Sequence, residues 1–115
     1  MLGPKSRGHW STHLQAPNCG YKYKCLTAGD RHTVVQPFTD FDGDVHSPGE
    51  TWTFLGYAFA PHDDGLSLFV SLNLADEWHI RLGVDEPPNV ASQIENFVKT
   101  YFPHVGETIW REIRC

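Results

Sequence analysis

The chain has 115 residues, enough for one ordinary domain and too few for two. Its 40% apolar content includes four Trp, four Tyr and seven Phe, rings that each bury about 150–250 Å², so a core can form without metal or disulfides. No run approaches the ~18 apolar residues of a membrane span, and residues 30–95 carry twelve acids against Arg31 and Arg81, a balance of −10 that phosphate backbones repel.

Residues 1–20 have no periodicity and are rich in Gly, Pro, Ser and Thr. They read as a loose basic extension, of the kind that read-through from an upstream start codon produces. Residues 1–24 carry Lys5, Arg7, Lys22 and Lys24 and no acid, but four charges without stacking partners do not make a nucleic-acid or membrane site. No apolar leader is present, so the expected address is cytoplasmic. Three cysteines, an odd number, then read as free thiols in a reducing compartment. A zinc reading of His9, His13, Cys19 and Cys25 is poor, because structural zinc sites use tighter Cys-x₂₋₄-Cys pairs.

From Tyr21 onward short β-type runs alternate with turn signals, and one β-rich domain over residues 21–115 is expected. The first strand is Tyr21 to Leu26, and Thr27-Ala28-Gly29-Asp30 turns it into a second, His32 to Phe38. Pro37 cannot donate to a ladder, so that run ends there or lies at an edge. Thr51 to Phe59 is dense in aromatics, and its pattern changes face near Leu55-Gly56, which predicts a bulge or a sharp bend. Pro61 to Gly65 is a turn. Leu66 to Leu72 follows with Leu66, Leu68, Val70 and Leu72 inward, and Phe69 on the other face implies a cover, most simply a helix. In the next strand Trp78, Ile80 and Leu82 point inward while Glu77, His79 and Arg81 point away.

Beyond Pro87-Pro88-Asn89, the residues Val90, Ile94, Phe97, Val98, Tyr101 and Phe102 form one apolar stripe at helical period, so an amphipathic helix over about 90–102 is expected, with Asn89 as N-cap and Pro103 as stop. Residues 107–114 fit either a short helix or an edge strand. The resulting fold class is mainly β (β+α): a small SH3-like, partly open antiparallel barrel with a C-terminal amphipathic helix.

The loop Asp40-Phe41-Asp42-Gly43-Asp44-Val45-His46-Ser47-Pro48-Gly49-Glu50 gathers the most chemistry. Its alternating carboxylates resemble the opening of a calcium loop, but Val45 and Thr51 stand where such a loop needs Gly and Glu. The plainer reading is that the Asp side chains close turns on their own backbone, with Gly43 at positive φ. A cation or catalytic site could combine His46 and Glu50 with His62, Asp63 and Asp64, since crowded carboxylates attract cations, yet no spacing fixes these groups together. His79 and Arg81, two apart on one face, form a further candidate contact pair, or cross-strand partners for acids such as Asp76 and Glu77. No nucleophile elbow, phosphate loop, Cys–His pair or HExxH motif occurs, so the sequence assigns no catalytic residue, metal ligand or cofactor.

The run from Gly29 to Leu82 resembles a small bacterial family of uncharacterised proteins, a domain of unknown function. The residues that carry the likeness are FTDFDGDVHSPGETWTFLGYAF, PHDDGLSLFVSL and EWHIRL. The resemblance implies a bacterial origin and a compact β domain with a helix after the last of these strands; it implies no activity. Function is therefore open between two classes. The first is a small acidic interaction module, a monomer or weak dimer, engaging a basic partner protein as a regulator or immunity protein does, through Asp40, Asp42, Asp44, His46, Glu50, His62, Asp63, Asp64, His79 and Arg81. The alternative is a cation-dependent enzyme or metal-binding protein that uses the same acidic loops. The residues favour the non-enzyme.

Overall fold

Period-two alternation fixes the middle of the molecule, where three strands each turn a branched or aromatic row to one side. The structure is a computed structural model and describes residues 1–12, 14, 18–24, 26–60, 65–82, 94, 97–104 and 107–112. Among these lie β1 (Leu2–Ser6), β2 (Cys19–Gly20), β3 (Lys22–Tyr23), β4 (Leu26–Thr27), β5 (Arg31–Val34), β6 (Phe38–Thr39), β7 (Val45–His46), β8 (Thr51–Ala60), β9 (Gly65–Ser71), β10 (Asp76–Leu82), β11 (Val98–His104) and β12 (Glu107–Glu112). The principal sheet is antiparallel in the order β1-β10-β9-β8-β5-β11-β12, and β2 joins β8 beside β5. Two small hairpins, β3-β4 and β6-β7, stand off it.

Leu66, Leu68 and Val70 of β9 lie opposite Leu82, Ile80 and Trp78 of β10, and with Trp52 and Phe54 of β8 they make one dry face. Leu26, Val34, Phe38, Ile94, Phe97 and Val98 complete it. The expected change of face in β8 is a bulge: Phe54 pairs with Val70 and Gly56 with Phe69, leaving Leu55 over. Gly56 is needed there, because a Cβ would strike Leu14 and come within 3.0 Å of the Gly20 carbonyl oxygen.

Several expectations fail for identifiable reasons. The sheet is an open path whose ends, β1 and β12, are not paired with each other among the described residues, so the expected SH3-like, partly open barrel is met there by a mainly β, open antiparallel sheet and no closed barrel. Residues 98–102, expected to be helical, are strand: Val98, Lys99, Thr100 and Tyr101 pair with Val34, Thr33, His32 and Arg31 of β5. The apolar stripe suits a helix, yet this stretch is β-branched and aromatic, and the free edge of β5 supplies the ladder partner that intrinsic propensity cannot weigh. Pro103 lies beyond the residues that pair with β5, so its missing N–H costs that ladder nothing. Residues 83–93, with Asn89 and Val90, lie outside the described residues. The last segment is the edge strand β12.

The first twenty residues are not a loose tail where they are described. β1 pairs with β10, and β2 with β8. Trp10 lies parallel to Phe69 at 6.4 Å between ring centroids, and His79 tilts against both rings. Among the described residues the cover over Phe69 is therefore this segment. In place of one strand over Tyr21 to Leu26, Lys22–Tyr23 and Leu26–Thr27 pair as the short hairpin β3-β4, with Lys24 at positive φ. Leu72, expected inward, is 40% exposed, because β9 ends at Ser71 and the turn that follows rotates it outward.

Candidate functional site

The acidic loop is the tip of the β6-β7 hairpin. Asp40, 2% exposed, sits beneath it, and its Oδ1 accepts the backbone N–H groups of Asp42 and Asp44 at 3.0 Å each. Gly43 takes φ 91°, as the turn reading requires, and its N–H donates to the Asp40 carbonyl. Asp40 Oδ2 accepts from His46 Nε2 at 2.8 Å and from the Met1 α-ammonium at 2.7 Å. His46 Nδ1 donates to Glu50 Oε2 at 2.5 Å, and Trp52 Nε1 donates to the same oxygen at 3.3 Å. The imidazole lies stacked on Phe38 with 4.7 Å between centroids.

The electrostatics follow from that chain of partners. Burial alone would lower the pKa of His46, but hydrogen bonds and charge from Glu50 and Asp40 outweigh it and hold the pKa above the ordinary value. Burial would raise the pKa of Asp40, yet the ammonium, His46 and the Asp44 amide hold it below the usual carboxylate range. The Met1 amine is likewise desolvated but kept above its ordinary value by Asp40 and Asp44. Asp42 approaches that ammonium at 3.5 Å, and Asp44 bonds it directly. The Arg81 guanidinium, bonded to Asp42, lowers the pKa of that carboxyl, and it lies 5.2 Å from the centroid of the Phe41 ring.

Six of the expected site residues thus share one ion network: Asp40, Asp42, Asp44, His46, Glu50 and Arg81. His79 does not join it; it is buried against Trp10 and Phe69 on the opposite side of β10 from the apolar row. His62, Asp63 and Asp64 lie outside the described residues. Among the described residues no group of three His, Cys, Asp or Glu has the arrangement of a metal site. Calcium-type ligation does not fit, because Asp40 spends both oxygens on internal donors, and both nitrogens of His46 are bonded to carboxylates. An imidazolium clamped at both ends has no site to receive a proton, so it is a poor general base. Of the zinc reading, His13 and Cys25 lie outside the described residues, His9 meets Trp10 edge-on, and Cys19 lies in β2 as a free thiol.

A second buried carboxylate was not foreseen. Glu77 accepts from the N–H groups of Gly8, Trp10 and Ser11, from the Ser11 hydroxyl and from Arg7 Nη1. Burial opposes its ionisation, but the Ser11 hydroxyl and these amides together hold its pKa below the usual range. The only sequence sign was a Glu on an outward strand position; its partners lie about seventy residues earlier. Separately, an open groove of about 700 Å³ is lined by Asp30, Arg31, Thr51, Thr53, Leu72 and Leu74, and it takes in none of the expected site residues.

With this architecture in view, the comparisons with known proteins fit. Residues 9–104 match the family described as Domain of unknown function (DUF3601), and the chain belongs to that family. It is also similar to a solved structure, an integron cassette protein from the mobile metagenome of Vibrio cholerae, at 31% identity and a TM-score of 0.63 over 70% of this chain and 91% of that one. No curated protein matches it. The solved structure shares the fold of this chain, and neither similarity carries an activity. No helix among the described residues is long and apolar enough to cross a membrane.

Proposed function

We propose that this chain is a small acidic binding module whose contact surface is the tip of the β6-β7 hairpin. One observation carries the reading: Phe41 is 50% exposed and Val45 64% exposed, on a hairpin whose polar interior is bonded throughout. Rigid apolar side chains held outward lose little entropy on binding, and a central aromatic anchor with a polar rim is the usual form of a hot spot. The rim here is acidic: Asp44 is exposed, and Asp42 is shared with Arg81. A partner with a basic rim around an apolar pocket complements it, and charge of that sign speeds association at low salt. The reading keeps Asp42 and Asp44 as contact residues and makes Asp40, His46 and Glu50 supports. A bacterial setting agrees with the similarity to the Vibrio cholerae protein.

The test places a photo-crosslinking amino acid at position 45 of the full chain in its host. A discrete crosslinked protein is expected, lost in Phe41→Ala and reduced at high salt, with the melting temperature unchanged. A crosslink that survives Phe41→Ala would remove the hairpin from the interface.

A further inference from the structure

We propose that the outer edge of β10, together with the carboxylates of Asp40, Asp42 and Asp44, is an acceptor for the amino-terminal strand of a partner polypeptide, and that residues 1–6 occupy it in cis. The proposal does not depend on the hairpin reading, since it needs neither Phe41 nor Val45.

The occupant defines the chemistry. β1 lies antiparallel on β10 with Leu2 opposite His79, Lys5 opposite Glu77 and Ser6 opposite Asp76, and the register slips between Leu2 and Lys5. All five of its residues are exposed. Its backbone comes close enough that a Cβ on Gly3 would stand 2.7 Å from the Glu77 carbonyl oxygen and 3.0 Å from Trp78 Cδ1, at φ 124°. The Met1 ammonium then enters the three carboxylates. Two recognition modes meet here, strand addition to a sheet edge and capture of an amino terminus.

The same segment is built to leave. None of residues 2–6 belongs to the core, which only Met1 touches, and only in part. An edge strand with no buried side chain is held by its ladder and by the charges at its end. The grip on Glu77 begins at Arg7, so β1 can detach while residues 7–11 stay in place. Residues 1–8 also lie outside the family match. An uncovered β10 would present a row of unpaired backbone groups, the usual template for a second chain. Covering it in cis costs a competitor only the effective concentration of a short tether, about millimolar.

The experiment uses the full chain and a peptide of residues 1–8 carrying a fluorophore at its C-terminus, read by anisotropy. Gly3→Val expels β1 through the clash with Glu77 and is expected to bind the free-amine peptide at least tenfold more tightly than wild type. Acetylating the peptide amine is expected to remove most of that gain. Equal binding by wild type and Gly3→Val, no binding by a folded Gly3→Val, or equal binding of the acetylated peptide overturns the proposal. Hydrogen exchange on the wild type decides independently of whether Gly3→Val folds: the β10 amides that face β1 are expected to exchange at least tenfold faster than the β9 amides paired with β8. Equal protection overturns it as well.

Discussion

Asp40 and Glu77 are both buried carboxylates held below the usual carboxylate range, and they are satisfied in opposite ways. Asp40 takes two bonds from its own turn and one from a histidine six residues on, and adds a single distant cation. Glu77 takes five bonds from residues 7–11, across most of the chain. The first is a local motif that shapes a hairpin. The second is a clasp that fastens one segment over a finished sheet. Their failures should differ accordingly, in size and in pH.

Asp40→Ala should have the largest effect. It leaves the His46 imidazolium with one carboxylate, the Met1 ammonium with a weaker cage and two turn amides without their acceptor. Breaking a buried ion pair by removing one partner costs about 3–5 kcal/mol. Urea denaturation should show a loss of that order; a loss of less than about 1 kcal/mol, as for an exposed pair, would mean that the network is ornamental.

The pH profile comes next and separates the two clusters by sign. Asp40 and Glu77 have depressed pKa values, so their stabilisation is present above the unfolded carboxylate value and is lost as pH falls through the folded one. His46 has a raised pKa, so its contribution is full below its unfolded value near 6.5 and is lost as pH rises through the folded value. The hairpin should therefore weaken at both ends of the scale and the clasp only in acid. His32 adds to the acid limb: burial lowers its pKa to about 4, so it must stay neutral in the fold. That opposes folding progressively from pH 6.5 down to 4, by up to roughly 3 kcal/mol. Melting temperatures of wild type and His46→Gln across pH 4–10 check this. The variant should lose the part of the alkaline fall that His46 contributes, and keep both the part set by the Met1 amine, whose pKa is also raised, and the acid fall.

The same contrast explains what the sequence made legible. Alternation in Leu66–Val70 and Trp78–Leu82, the bulge near Leu55 and the Gly43 turn are local patterns, and they were readable. So was an Asp side chain closing this turn on its own backbone, as Asp40 does, although the Asp42 and Asp44 side chains reach Arg81 and Met1 instead. The strand at Val98–His104 was not, because its apolar spacing fits a helix and its ladder partner, β5, lies over sixty residues earlier. Nor was the cover on Phe69: Trp10 sits in a stretch with no periodicity, and nothing local marks Arg7 to Ser11 as donors for Glu77. Pairing at long range leaves little trace in spacing.

Glu77→Ala is the third test, at about 2 kcal/mol, the scale of leaving buried donors unsatisfied. Its character matters more than its size. The apolar face between β8, β9 and β10 is made without residues 7–11, so the loss should be local. Hydrogen exchange at Gly8, Trp10 and Ser11 should accelerate to near the unfolded rate while amides of β9 stay protected. Uniform acceleration would show that the clasp and the core unfold as one unit.

The smallest effect is expected from Asp44→Asn. This carboxylate bonds the Met1 ammonium as Asp40 does, yet its side chain is 58% exposed against 0% for Asp40. Water and salt screen an exposed pair, so the change should cost about 0.5 kcal/mol, and less still at high ionic strength. The asparagine can still occupy the turn, and the Asp44 amide still donates to Asp40. Two carboxylates on one ammonium would then differ several-fold in what they contribute, and the difference would come from burial and from the neighbouring His46, not from distance. A loss matching that of Asp40→Ala would instead mean that the amine, and not the imidazole, is the centre of the network.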